Sequence, residues 1–540
     1  MHRSLLLLLL IAAPLVADPA MKAEVKKAVL LPGMGKHHHP VTTKNVEAQR
    51  FFDQGLTLLY AFNHAEAILS FQRAAELDPD LAMAHWGMSL ALGSNYNLQA
   101  DEAQLKDALV ALYRAKILSP KAAPVEREYI EALSKRYSDD PKADKAKLAI
   151  AYKNAMGELS KRHPDDLDAA TLYAESAMNL RPWELWTRDG KPAEGTEEII
   201  AVLEGVLKRN PDHPGANHYY IHAVEAGPHP ERGLPSADRL KTLVPAAGHL
   251  VHMPAHIYFR VGDYEQAARQ NELAMVADEA MFFRRGAVGV YPVMYYSHNI
   301  HFLAVARAFQ GRYRDALQAA DQLAAHVAPH VKEMPMLEVF TTTPILVRLK
   351  FGRSHEILRE PDPGVGMPVT RAMWLFSRAM SQVAMGQVAE AEKEQEAFAR
   401  QCKQVPADLK YGDRNTAQSV LHIADLVLKA RIASARKDSK AAVAALEQAI
   451  KAEDALNYIE PPDWYLPVRE RLGSLLLAEG KPAEAEKHFR ADLALRPRNG
   501  RALFGLMKAL KAQKNDLAAR QVQEEFNTAW KQADGPLAID

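Results

Sequence analysis

The sequence predicts an all-α protein, built as a solenoid of antiparallel helix pairs. Three observations carry that expectation. Leu, Ala and charged residues dominate the 540 residues, and long β-branched runs are few. Apolar residues recur at helical spacing in paired segments joined by tight turns. Prolines close the units at a repeated interval, Pro211 and Pro245 lying 34 residues apart. A chain of this length is also too long for one compact core, which favours several domains or a repeat array.

The opening residues, MHRSLLLLLLIAAPLVADPA, have a basic start at Arg3, an apolar run over 5–13 and a small residue, Ala17, at a plausible cut. They predict a signal peptide over 1–17. The apolar run is short for a membrane span, and no other stretch is long and apolar enough. The mature chain is therefore expected to be exported, periplasmic or secreted, with no integral membrane segment. Residues 18–47 follow as an extended segment. It carries His37, His38 and His39, expected to be solvent-exposed, with entry into a groove as the alternative.

Lys plus Arg and Asp plus Glu both number 67, so the formal charge is zero. Nucleic-acid proteins carry a basic excess, so no nucleic-acid partner is expected. The single cysteine, Cys402, allows no internal disulfide and no CxxC motif, and it reads as structural.

Residues 48–81 read AQRFFDQGLTLLYAFNHAEAILSFQRAAELDPDL. Gly55, Leu58, Ala67, Phe71 and Ala74 sit at helical spacing, and Pro79 ends the unit. Gly473, Leu476, Gly480, Ala485, Phe489 and Pro497 repeat the pattern near the other end, and Gly505 and Ala519 begin another copy. Weaker copies show as the turns RVGDYEQA (260–267), FQGRYRDA (309–316) and VAMGQVAEA (383–391). The pattern resembles the tetratricopeptide repeat (TPR), a unit of about 34 residues. The resemblance covers most of 48–533 and is specific for fold, not function. It implies a right-handed superhelix in which the first helix of each pair lines the concave face. On this frame TPR-like repeats fill 48–98. Irregular helical repeats fill 99–213, with a loop insertion at 181–195. His-rich TPR-like repeats fill 214–330, with an insertion at 282–296. Further TPR-like repeats fill 331–533, and 534–540 is a tail. Trp183 and Trp186 on the first insertion are either a lid over the groove or a loop packed on its own aromatics.

The segment GHLVHMPAHIYFRVGDY (248–264) concentrates three imidazoles, and HYYIHAVE and YYSHNIHF flank it in the chain. Counting repeats from 214, 248 and 297 puts His218, His252 and His301 at place 5, and His222 and His256 at place 9. His249 and His298 fall at place 2 and Glu225 at place 12. The resemblance implies that all four places line the groove. Residues at i and i+4 share a helix face, and neighbouring helices lie roughly 8–10 Å apart. His218 and His222 are thus expected to converge with His252 and His256. His249, His298 and His301 are expected either to form a second group or to complete the first. Pro254 interrupts the helix between His252 and His256 and threatens that spacing. His64 and His85 read as structural.

Neutral imidazole is the commonest metal-binding side chain. A ligand set of His218, His222, His249, His252, His256, His298 and His301 with one carboxylate and no thiolate suits copper, zinc or iron. Glu225 is expected to act as a ligand or as a general base. HExxH, GxSxG, Walker and placed GxGxxG motifs are absent, which disfavours zinc-protease, triad, kinase and dinucleotide chemistry. The sequence thus predicts an exported solenoid that binds a transition-metal ion in its groove, as a metal carrier or as an enzyme of hydrolytic or oxidative chemistry. The alternatives are an interaction scaffold holding a peptide or protein partner in the groove, and a binder of a small polar ligand.

Overall fold

The structure, a computed structural model, describes residues 27–287 and 289–537. The predicted signal peptide lies outside the described residues. From Val46–Tyr60 to Asp516–Ala529 the chain is a succession of α-helices, each packed on the next. They form a right-handed superhelix of antiparallel pairs. The only strands among the described residues are Lys410–Tyr411 and Asn415–Thr416, one small antiparallel hairpin. No helix among them is long and apolar enough to cross a membrane.

Local sequence explains where the helices start. Asn45, Asn63, Asp166, Asp263 and Asp438 each accept hydrogen bonds from amides in the first turn that follows them. Those amides have no partner within the helix, and a short polar side chain satisfies them. Several of the turns inside pairs use one left-handed residue. Gly262, Gly311, Gly386 and Gly480 occupy that place, but so do Phe62, Lys437 and Lys514.

The repeat packs through one aromatic and two glycines. A Cβ on Gly55 or Gly87 would lie 2.7 or 2.6 Å from the buried Phe71 ring. Gly473 and Gly505 flank Phe489 in the same way, at 2.8 and 2.3 Å. The second helix of a pair thereby wedges its phenyl ring between two successive first helices. Burying each ring stabilises the stack by about 1.5–3 kcal/mol.

Several segments differ from the sequence expectation. The helix Tyr264–Arg285 runs on into the expected insertion 282–296, and Tyr291–Phe309 begins before that insertion ends. The extension is held because Arg285 is buried and its Nε donates to Glu66 Oε2 at 2.9 Å. In the C-terminal repeats, residues 455–467 form no helix, and they separate Ser439–Asp454 from Val468–Ala478.

The superhelix closes on itself. The Tyr264 hydroxyl donates to Pro497 O at 3.0 Å, and Asp534 N donates to Gly311 O at 3.0 Å. Across the concave face, loop 181–195 meets the C-terminal half. Arg414 Nη2 pairs with Glu184 Oε1 at 3.1 Å, and Arg188 Nη2 donates to Asn457 Oδ1 at 3.1 Å. The His-bearing helices lie beneath this closure.

Candidate metal centre

Three elements carry the imidazoles. Pro214–Glu225 supplies His218 and His222. The next first helix is broken at Met253 into Gly248–His252 and Pro254–Arg260, as Pro254 requires, and it supplies His249, His252 and His256. Tyr291–Phe309 supplies His298 and His301. A side chain at Gly248 would strike Asp278 Oδ1, 1.9 Å from the Cβ position, so glycine there lets the His249 turn sit against its neighbour.

These residues assemble into two triads. In each triad one ligand atom per residue can be chosen so that all three lie within 4.8 Å of one another. The first is His218, His222 and His249; the second is His252, His256 and His298. The partition differs from both expected groupings. The break at Met253 leaves His249 beside the preceding helix, with its ring centroid 4.9 Å from that of His218. His252 faces the following helix, 4.8 Å from His298. His301 joins neither triad. Its ring packs 5.4 Å from Phe340, and burial pushes its pKa down to about 4.

Hydrogen bonding fixes the protons on most of these rings. His218 Nδ1 donates to the Tyr60 carbonyl at 2.6 Å. His222 Nδ1 and His256 Nδ1 donate to Glu225 Oε1 and Oε2, both at 2.6 Å. His252 Nδ1 donates to Asn271 Oδ1 at 2.7 Å, and the Asn271 amide is oriented by its own bond to Ala267 O. His218 Nε2 then accepts from His249 Nε2, 3.2 Å away. His252 Nε2 and His256 Nε2 lie 2.9 Å apart, at hydrogen-bond distance from each other. His222 Nε2 and His249 Nδ1 are buried with no hydrogen-bond partner. Each buried acceptor without a donor costs about 1–3 kcal/mol.

Burial and neighbouring imidazoles hold His218, His249, His252 and His298 well below the ordinary histidine value. They are therefore neutral, the form that coordinates metals. Burial would raise the Glu225 carboxyl, but His256 and His222 outweigh it and hold it below the usual carboxylate range.

A second histidine cluster, around Asp168, meets the same distance criterion but has its ring N–H groups facing a carboxylate. His37 and His39 are not solvent-exposed, as expected, but pack with His213 around Asp168, away from the groove triads. Backbone Ala216 N donates to His213 Nδ1, so His213 carries its proton on Nε2 and points it at Asp168 Oδ1, 3.2 Å away. Asp168 also accepts from Tyr60 Oη at 2.6 Å, His37 Nε2 at 3.0 Å and His39 Nδ1 at 2.9 Å. Three of these donors meet Oδ1 and one meets Oδ2, so each donor has an acceptor. His38 instead contacts Asp53 at 2.8 Å and is largely exposed.

Beside the triads lies a cavity of about 150 Å³, lined in part by His222, His249, His256, His298 and His301. Trp183 covers one side, stacked 5.5 Å from Tyr96 and edge-on to His222 at 5.4 Å. The Tyr458 hydroxyl approaches Glu225 Oε2 at 3.3 Å. Sequence reasoning missed Tyr96, Tyr458, Asn271 and Phe62. Phe62 has one usable signal. It fills the left-handed turn place that glycine fills in other repeats, with φ 53°, and its ring lies 4.5 Å from His218 and 5.4 Å from His249. A bulky residue held in that conformation marks a site where the surroundings enforce it.

No family profile and no curated protein matches the sequence. Among solved structures, the chain is similar to a human IFIT1 dimer with m7Gppp-AAAA at 14% identity, covering 91% of each chain with a TM-score of 0.35. Yeast Tom70 matches at 12% identity over 89% of this chain and 93% of that one, with a TM-score of 0.30. An APC/C hetero-tetramer, Cut9-Hcn1, matches at 13% identity over 87% and 78%, with a TM-score of 0.32.

Proposed function

We propose that the chain is a metalloenzyme whose transition-metal centre is built from the two histidine triads. One observation carries the reading. His252 Nε2 and His256 Nε2 converge to 2.9 Å, while their Nδ1 atoms are committed to Asn271 and Glu225. Two ring nitrogens so placed share a proton or a cation, and a metal ion beside them would engage both lone pairs. Ligating histidines commonly donate their other ring N–H to a carboxylate, a carbonyl or water, which orients the ring. Three histidines per ion leave a coordination position open for water or substrate. The adjoining cavity favours catalysis over simple carriage.

An all-imidazole donor set suits copper or zinc before harder ions. Glu225 is a positioning residue in this reading, since both its oxygens are engaged by imidazole N–H groups. The chain's own Trp183 and Tyr458 cover this stretch of groove, which disfavours a peptide there. Export, expected from residues 1–17, belongs to the same proposal.

The test is titration of metal-free, untagged protein with copper or zinc. Tight binding is expected. Loss of the outer partner in Asn271→Ala is expected to weaken it about 10–100-fold. His256→Ala, which removes a ligand, is expected to weaken it further. A protein that ignores both ions overturns the proposal.

A further inference from the structure

We infer that the two triads form one binuclear centre, whose open side faces a cavity shaped for a single-ring molecule bearing one polar substituent. The inference rests on the metal reading above and adds the number of ions and the class of substrate.

The pairing follows from Glu225. Its Oε1 receives the Nδ1 proton of His222, in the first triad, and its Oε2 that of His256, in the second. One buried carboxylate thereby fixes a ring in each group. The groups are also contiguous. The rings of His222 and His256 have centroids 5.7 Å apart, as have those of His249 and His252. Within the first triad, His222 and His249 are farther apart, at 6.5 Å. Ions held by these two sets lie near enough to share an oxygen ligand, the arrangement in which paired metals clamp a reacting group.

The substrate class follows from the cavity. Its volume of about 150 Å³ matches an engineered apolar protein cavity of about 150 Å³ that takes up benzene. Leu98, Met294, Met336, Val339, Phe340 and Ile459 supply apolar wall. The histidines stand at one side. Elsewhere in the wall stands Glu460, whose buried Oε2 has no hydrogen-bond partner. An apolar ring fits the wall, and one polar substituent gives the centre or Glu460 something to bind.

The experiment uses the full chain, untagged and reconstituted with copper or with zinc. Elemental analysis is expected to find two ions per chain. His222→Ala and His298→Ala, one from each triad, are each expected to lower that number to one. A single ion in the unaltered protein overturns the binuclear inference and leaves the metal reading standing; none overturns both. Phenol is the probe for the cavity, with calorimetry on the loaded protein. Binding is expected, with 2-naphthol at least tenfold weaker. Val339→Trp, or Met336→Phe should the first fail to fold, is expected to weaken phenol at least tenfold while both ions stay bound. Failure of phenol to bind, or binding indifferent to the filled cavity, overturns the substrate class.

Discussion

A buried histidine with Nδ1 already donating has one lone pair left, and its surroundings decide what that pair does. Around Asp168 each pairing matches a ring N–H to an acceptor. In the triads, His222 Nε2 has no hydrogen-bond partner, and His252 Nε2 and His256 Nε2 meet only each other. The contrast predicts different behaviour. At Asp168, burial would lower the His39 pKa, but the Asp168 hydrogen bond and charge outweigh it and raise it above the ordinary 6.5. Folding then takes up a proton at His39. That stability is fully present below pH about 6.5 and is lost as pH rises through the folded-state value. Urea unfolding of the protein and of His39→Gln, between pH 5.5 and 8.5, should show the variant's deficit shrinking as pH rises. A constant deficit contradicts the pairing. None of this was legible in the sequence, because the partners that set the protons lie far away in the chain. Tyr60, which orients His218, is 158 residues from it.

Elements show which sequence rules held and which yielded. The glycines and aromatics of the repeat were legible, because one ring wedged between two close helices demands a small residue on each side. Gly505→Val would force side-chain atoms against Phe489, since even the Cβ would lie 2.3 Å from the ring. A loss of about 1–3 kcal/mol is expected in chemical denaturation, as for other overpacked cores. A neutral effect would mean that the ring is free to move. The counting frame placed His298 and His301 together, since i and i+3 share a helix face. Three residues nonetheless differ by about 60° around an α-helix. On a helix packed between neighbours, that offset separates the side facing His252 from the side facing Phe340. Pro254 was legible as a break, yet it helps to build the site. The break divides His249 from His256, and each serves a different triad.

At the scale of the whole molecule, closure makes the centre. The helices that carry the imidazoles are local in sequence, between 214 and 309, and their concentration of histidine was visible at once. The cover comes from elsewhere. Loop 181–195 brings Trp183, and residues 455–467 bring Tyr458 and Glu460, segments that meet only when the superhelix winds round on itself. No periodicity reports such contacts, so the sequence predicted an open groove where the structure has a partly covered pocket. The cover adds to the burial that keeps His218, His249, His252 and His298 neutral. The account thus depends on imidazole nitrogens converging in two buried groups. Anomalous X-ray scattering from crystals of the untagged protein soaked in copper or zinc tests it most directly. Two peaks are predicted, each within coordination distance of the three imidazoles of one triad, with nothing at Asp168. Peaks at Asp168 alone, or no peak between 214 and 309, would contradict it.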